Sequence, residues 1–314
     1  MTIFEAVIQG IIQGATEFLP VSSSGHLSIS QHFFGIELPG LLFDLMLHIG
    51  TLIAVVFVYR KLIVELIIEF FRLIADIFRR EFKWSEMEEQ RRLLMMLMIG
   101  LIPLFLLFLP IPGTGMKLKD ISEMLATDTK IMAEGIALLV TSMLIFTGIR
   151  RNTKIISQKI VTDPNGNITV SKGRRKIHTS DAILIGFTQC MAAVFPGLSR
   201  SGSTLSVGLM RGINKKTALD YSFVLGIPAI IAATLVSAKD AAAESEIIGI
   251  APMIVGVIVS AIVGFLAIKL LKWIVSSDKL SIFAYYTLIV GGIVVIIAVI
   301  ESLTGVNLFT GKPI

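Results

Sequence analysis

Six stretches of the chain are long and apolar enough to cross a membrane: residues 44–60, 93–110, 131–149, 217–236, 251–268 and 283–300. Each offers about 17–20 mostly apolar residues, near the minimum helix length for an ~30 Å hydrocarbon core. Two other apolar stretches depart from this pattern. Residues 3–19 run into Pro20 and the polar series Ser22-Ser23-Ser24-Gly25, and only about ten further residues follow before Pro39. Residues 182–211 have the same short–break–short form. A helix–loop–helix that enters and leaves by one face suits both better than a full crossing, because irregular backbone at membrane depth must line a cavity or be buried in protein. The expected fold class is an all-α polytopic membrane protein.

The two breaks are copies of one another. Gly10 and Gly186, Gln13 and Gln189, and Pro20 and Pro196 are each 176 residues apart, and Ser24-Gly25 matches Ser201-Gly202 at 177. The second copy is therefore one residue longer after its proline, and Arg200 reads as part of that insertion. Asp44 and Asp220 extend the match into the first span of each half. Three crossings separate the copies, an odd number, so the second enters from the opposite face. This predicts an inverted-topology repeat within one integral membrane domain. Residues 1–180 form the first repeat, with a re-entrant pair at 3–36, three spans and a loop at 151–179. Residues 181–314 form the second, with a re-entrant pair at 182–213 and three spans.

Composition supports the membrane class: 54% of the 314 residues are hydrophobic and the mean hydropathy is +0.83. The single cysteine, Cys190, excludes an internal disulfide framework and a cysteine metal cluster. Residues 1–59 lack Lys and Arg, so no cleavable signal peptide is expected. The net charge of +5 does not call for a nucleic-acid partner once its distribution is seen. Of the 28 basic residues, 22 lie in the loops 60–92, 150–180, 211–216 and 269–279, all on one face. That face is expected to be cytoplasmic, with both termini outside. Within these loops, Glu65, Glu69, Arg72, Asp76 and Arg80 are spaced as on a helix that continues a span beyond the membrane. Asp163-Pro-Asn165-Gly166 between Lys159-Ile-Val-Thr and Asn167-Ile-Thr-Val reads as a small cytoplasmic hairpin.

Candidate chemistry gathers at the breaks. Gln13 and Glu17 share a helix face, and a carboxylate in an apolar half-helix needs water, a metal, a cation or a structural partner. Pro20 ends the first half-helix, and Ser22, Ser23 and Ser24 are N-cap candidates for the next, with Gly25 easing the turn. A helix N-terminus with free N–H groups and hydroxyls is an anion site. His26 could activate a hydroxyl or attack phosphorus itself. Arg200 is the one arginine outside the basic loops and their flanks. Its planar fork fits phosphate oxygens, and a bridge to Glu17 would be compatible with that role. Ser199, Ser201, Gly202, Ser203 and Thr204 add donors around it. His48, Asp44 and Asp220 receive no assignment, His32 and His178 read as structural or solvated, and Gly10-x-x-x-Gly14 reads as helix packing. There is no Cys/His zinc spacing, Walker loop or Rossmann glycine pattern.

At Gln13-Gly-Ala-Thr-Glu17-Phe-Leu-Pro-Val-Ser-Ser23-Ser-Gly25-His26 and Pro196-Gly-Leu-Ser199-Arg200-Ser201-Gly202-Ser-Thr204 the chain resembles the bacterial undecaprenyl-diphosphate phosphatase, or bacitracin-resistance, family. The resemblance covers essentially the whole chain. It implies hydrolysis of undecaprenyl diphosphate to the monophosphate carrier of cell-wall synthesis, and a divalent cation, Mg²⁺ or Ca²⁺. It also implies a site on the external face of the bacterial cytoplasmic membrane. The catalytic candidates are Glu17, Ser23, His26 and Arg200, with the nucleophile open between Ser23 and His26. The diphosphate-binding candidates are Gln13, Ser22, Ser24, Gly25, Ser199, Ser201, Gly202 and Thr204. The family has Glu or Gln where this chain has Gln13, so a metal or base role falls mainly on Glu17. Expected partners are the polyprenyl diphosphate and membrane lipids, and a homo-oligomer is compatible with the sequence. Broken helices in inverted repeats also fit a second reading, a transporter or flippase of a lipid carrier or anion.

Overall fold

The computed structural model describes residues 1–35, 41–84, 87–126, 131–158, 160–162, 168–170, 172–243 and 249–313. The two interrupted segments each form a helix, a break and a second helix: α1 (Ile3–Phe18) and α2 (Ser23–Phe34), then α7 (Thr179–Val194) and α8 (Arg200–Met210). Both first helices end where a proline forbids continuation. Leu19 before Pro20 and Phe195 before Pro196 adopt extended backbone, as the proline ring requires of its predecessor. Both also start with a side chain bonding back to the backbone. Glu5 pairs reciprocally with Thr2, and Asp181 accepts from the His178 N–H at 2.9 Å.

Among the described residues six other helices are long and apolar enough to span a membrane, and each contains, to within two residues at an end, one of the expected crossings. They are α3 (Leu41–Phe78), α4 (Glu89–Leu101) with its 3₁₀ continuation Ile102–Phe108, α6 (Met132–Ser157), α9 (Lys215–Ala243), α10 (Ile250–Ser276) and α11 (Ser281–Thr304). The charged extension of the first span is helical as far as Phe78. The second crossing tightens to 3₁₀ geometry where Pro103 brings no N–H to the α ladder. A short helix that the pattern did not predict, α5 (Leu118–Ala126), starts where the Lys117 N–H donates to Asp120. The expected hairpin is present as β1 (Ile160–Thr162) antiparallel to β2 (Ile168–Val170), with Ile160 opposite Val170. Its Asp163–Gly166 turn lies outside the described residues. The protein is thus an all-α multi-pass membrane protein with one small hairpin.

Helix packing is reciprocal in part between the two parts of the chain, α1 on α10 answering α7 on α4. α1 packs on α10 and α3, whereas α7 packs on α4 and its 3₁₀ continuation; α6 packs on both α8 and α11. Small residues permit the closest approaches. A Cβ on Gly10 would lie 3.0 Å from the Gly256 carbonyl oxygen of α10, and one on Gly186 would lie 2.3 Å from that of Gly100 in α4. The expected packing role of the Gly10–Gly14 face is therefore observed, and Gly186 repeats it.

The end of the bundle that carries the basic loops is tied down. The Arg174 backbone bridges Gly212 and Asn214, and the fully buried Asp181 carboxylate accepts from Arg174 at 2.7 Å and from Arg211 at 2.8 Å. Burial alone would raise the Asp181 carboxyl. The two arginines and the His178 N–H outweigh that and hold it at about 2. At the other end, His32 meets both Glu301 oxygens at 3.0 Å, and Asn307 donates to the His32 carbonyl. This fastens the C-terminal segment to α2, the structural role read for His32. His178 is the exposed N-cap of α7.

Candidate active site

The breaks of the two helix pairs meet. The Gly197 N–H donates to Ser24 Oγ at 3.3 Å, and Ser201 Oγ donates to the Leu19 carbonyl at 3.0 Å. Local chain rules build both tips alike. Ser22 caps α2 by accepting from the Gly25 N–H at 3.2 Å, and Ser199 caps α8 by accepting from Gly202 at 3.1 Å. Equating the caps places Arg200 opposite Ser23, each the first residue of its helix. The inserted residue of the second copy is then Gly197 rather than Arg200, which corrects the sequence reading. Gly197 has φ +81°, and a Cβ there would lie 3.0 Å from the Glu134 Cα, so the extra residue has to be glycine. Ser22 holds φ +75°, rare for a residue with a Cβ and characteristic of functional turns.

Glu17 is the hub of the site. One carboxylate oxygen accepts from Arg200 Nη2 at 2.7 Å. The other accepts from Ser23 Oγ at 2.7 Å and from Gln13 Nε2 at 3.1 Å. His48, which received no assignment, lies with Nε2 3.8 Å from the same oxygen, its ring anchored by Nδ1 to the Asp44 carbonyl at 2.8 Å. Glu17 is only 8% exposed, so its charge is sustained by these partners rather than by water. Ser23 from one broken pair and Arg200 from the other thus converge on one acid. Arg200 Nη1 and Gln13 Oε1 are buried and, among the described residues, have no hydrogen-bond partner. The guanidinium lies against α9, where a Cβ on Gly226 would stand 1.9 Å from Nη1.

His26 sits one turn beyond Ser23 and is held from two sides. Nδ1 bonds the Ser22 carbonyl at 2.7 Å, which fixes a proton on Nδ1 and leaves Nε2 as acceptor. Nε2 meets the Tyr286 hydroxyl at 2.9 Å, and the two rings stack with centroids 5.6 Å apart at 12°. Among the described residues no hydrogen bond joins His26 to Ser23, so the serine's acceptor in this structure is Glu17.

The diphosphate-binding candidates are all at the two tips, but most of their polar groups have internal partners. Ser22, Ser199, Gly25 and Gly202 form the two caps, and Gln13 bonds Glu17. Thr204 bonds the Arg200 carbonyl at 2.8 Å and Ser222 at 2.6 Å. Ser24 is the exposed hydroxyl of the group. Asp220 lies elsewhere, accepting from Tyr59 at 2.6 Å. Two residues that sequence reasoning missed adjoin the tips. Tyr286 is invisible in the pattern because interfacial tyrosines are common in membrane spans. Glu134, 3% exposed, accepts from Ser28 at 3.1 Å, and the argument applied to Glu17, an acid within an apolar span, would have flagged it.

No cluster of three or more His, Cys, Asp or Glu side chains suited to a metal occurs among the described residues. One carboxylate, Glu17, and the unpartnered buried oxygen of Gln13 make a donor pair. That suits a hard divalent ion which takes its other ligands from substrate phosphate and water.

The family profile described as bacitracin resistance protein BacA matches residues 6–293. A protein of Methanosphaera stadtmanae named undecaprenyl-diphosphatase is 37% identical over 306 residues, covering 96% of this chain and 99% of that protein. Proteins of the same name from Alkaliphilus metalliredigens and Desulfosudis oleivorans are 36% and 37% identical, over 96% and 92% of this chain and 100% and 96% of their own lengths. With the two motifs that carry the likeness meeting at one carboxylate, the chain belongs to the bacitracin resistance protein BacA family.

Proposed function

We propose that this protein is an undecaprenyl-diphosphate phosphatase, removing the terminal phosphate from the lipid diphosphate to yield the monophosphate carrier. The observation that carries the reading is the Glu17 carboxylate, bonded at once to a serine from one broken helix pair and an arginine from the other. Ser23 Oγ attacks the terminal phosphorus as its proton passes to Glu17 Oε2, already 2.7 Å away. The phosphoanhydride P–O bond breaks, and the prenyl monophosphate leaves with that bond's electron pair. Water then attacks the phosphoserine, its protons staying with the phosphate released, as Glu17 returns its proton to Ser23 Oγ and both residues are restored. Arg200 binds the equatorial oxygens and offsets the charge they gather in the transition state. The prenyl tail stays in lipid throughout.

A diphosphate entering beside Glu17 would bring two anions together near Arg200. A divalent cation held by Glu17 and Gln13 Oε1 would relieve that repulsion and orient the phosphates. Ser24 and the first turn of α2 are the proposed diphosphate cradle, and Gly25, its N–H held by the Ser22 cap, keeps that turn in shape.

We further read the two halves as an inverted repeat, with the basic end cytoplasmic and the site and both termini on the outer side of the cytoplasmic membrane. The reciprocal packing and the Lys/Arg bias support this. His26 is favoured as an alternative nucleophile by its anchored Nδ1, which leaves the lone pair on Nε2, where the Tyr286 hydroxyl would have to give way to phosphorus.

The test is phosphate release from a prenyl diphosphate by protein in detergent, with no gradient. Release that falls in Arg200→Ala and His26→Ala while folding persists supports the enzyme. Transport in liposomes without any phosphate release would overturn it in favour of a transporter. Acid-stable phosphoenzyme marks Ser23 as the nucleophile, and acid-labile phosphoenzyme marks His26.

A further inference from the structure

A cavity of about 500 Å³ lies at the basic end of the bundle and contains no residue of the Glu17 cluster. Its walls come from α3, the start of α4, the segment before α7 and the start of α9. Three cations face it: Arg92, Arg175 and Lys176. Arg92 spends one N–H on the Ile177 carbonyl at 3.3 Å. Arg175 and Lys176 have no ion pair or side-chain hydrogen bond among the described residues. They are nevertheless not on a loose loop, since the adjoining Arg174 backbone bonds Gly212 and Asn214, and its side chain grips Asp181. Two acids also line the cavity. Asp220 is engaged by Tyr59 at 2.6 Å and lies 3.8 Å from Lys272. Glu89 is solvent-exposed. The balance left to a ligand is positive.

The remaining wall is mostly apolar, with Leu62, Leu93 and Val224 prominent, Tyr221 with its hydroxyl spent on the Met96 carbonyl, and Thr217 at its edge. An anion alone would not need that floor, and an apolar molecule would not need unpaired guanidinium and ammonium groups. Together they suit a phosphate attached to a hydrocarbon stem. The level in the bundle agrees, because Arg60 and Lys61 on α3, Arg150 and Arg151 on α6 and Lys215 and Lys216 on α9 form a basic belt around this end. Such belts mark where lipid headgroups lie. We propose that the cavity is a binding site for the phosphate headgroup of an anionic membrane lipid, drawn from the leaflet at the basic end. The proposal does not depend on the catalytic reading.

The test is native mass spectrometry of the full chain in detergent with added phosphatidylglycerol, against phosphatidylcholine and against inorganic phosphate. A retained phosphatidylglycerol adduct is expected. It should weaken at least tenfold in Arg175→Gln/Lys176→Gln, at about fivefold per basic residue near a headgroup. The charge-matched Arg150→Gln/Arg151→Gln, outside the cavity, should stay within twofold. Leu93→Trp, which fills the floor without altering charge, should also lose the adduct while phosphate release from a prenyl diphosphate continues at the wild-type rate. Equal losses in the two charge variants would overturn the proposal as general attraction to a basic face. Equal retention of phosphatidylcholine would overturn it too. Inorganic phosphate binding as tightly as the lipid would replace it with a soluble-anion site.

Discussion

Gly226 lies on α9, outside both motifs, yet it should behave as a residue of the reaction. A Cβ there would fall 1.9 Å from Arg200 Nη1, 2.7 Å from Cζ and 3.1 Å from Nη2. Ordinary contact begins near 3.4 Å, so Gly226→Ala must push the guanidinium aside by about 1.5 Å. The Nη2–Glu17 bond of 2.7 Å cannot survive that shift unchanged. A charge-assisted bond of this kind contributes about 1.5–3 kcal/mol, and a misplacement of about 1 Å can lower a rate by about 10²-fold. The obstructed atoms are the end of a flexible side chain, and alanine favours helix over glycine by about 1 kcal/mol, so the fold should persist. The expected result is a fall in kcat/KM of about 100-fold for phosphate release, with little change in unfolding temperature. Gly292→Ala is the control, because nothing lies within 4 Å of its Cβ position. In an Arg200→Ala background the Gly226 change should add almost nothing, since its effect runs through that side chain. Activity within threefold of wild type, or an undiminished loss without Arg200, would refute the reasoning.

Tyr286→Phe keeps the stack on His26 and loses the hydroxyl, so kcat/KM should fall about fivefold, the worth of one hydrogen bond; Tyr286→Ala should cost more, and steady-state kinetics of both decide it. Ser23→Ala should abolish turnover and the acid-stable phosphoenzyme, whereas Ser24→Ala, which loses a 3.3 Å bond to Gly197, should lower the rate no more than about tenfold. The Asp181 carboxyl is held at about 2, below its ordinary 3.8, so its contribution of roughly 2 kcal/mol is fully present above pH 4 and lost as pH falls toward 2. Asp181→Asn should therefore lower the unfolding temperature at pH 7 and flatten its dependence on pH between 4 and 2.

The number of spans, the two breaks and the residues at their tips were legible because each has a one-dimensional cause: apolar runs of bilayer length, a proline, a serine cap, an isolated arginine. The hairpin was legible for the same reason, in an Asn-Gly turn between two β-prone flanks. What the chain order concealed was contact between distant segments. Tyr286 is 260 residues from His26, and nothing in its neighbourhood distinguishes it from an interfacial tyrosine. His48 stood beside a span start with no hint that its ring faces Glu17. The role of the serine and threonine hydroxyls was also hidden. A polar cluster in an apolar chain suggests ligand binding, but here most of the hydroxyls satisfy the backbone of two helix termini that meet in a buried place. Alignment by sequence alone put the extra residue at Arg200, where the chemistry differs; the cap hydrogen bonds put it at Gly197, where the backbone demands it.

That relocation changes what the duplication means. With Ser22 equated to Ser199, the first residue of the second helix is Ser23 in one copy and Arg200 in the other. Two equivalent positions therefore carry the hydroxyl and the guanidinium that meet on Glu17. Only one copy supplies the acid, since the position 176 residues on is Ala193. A symmetric pair of tips would place two acids or two arginines face to face, which burial forbids without further counter-charge. One acid between one hydroxyl and one guanidinium satisfies all three groups. On the proposed reaction it also separates the attacking group from the charge-stabilising group, as cleavage of an asymmetric diphosphate needs. The Gly197 insertion joins the unlike tips, because its N–H reaches Ser24 in the first copy. The two like breaks thus frame the site, and unlike residues at matched positions bring its serine and its arginine to Glu17.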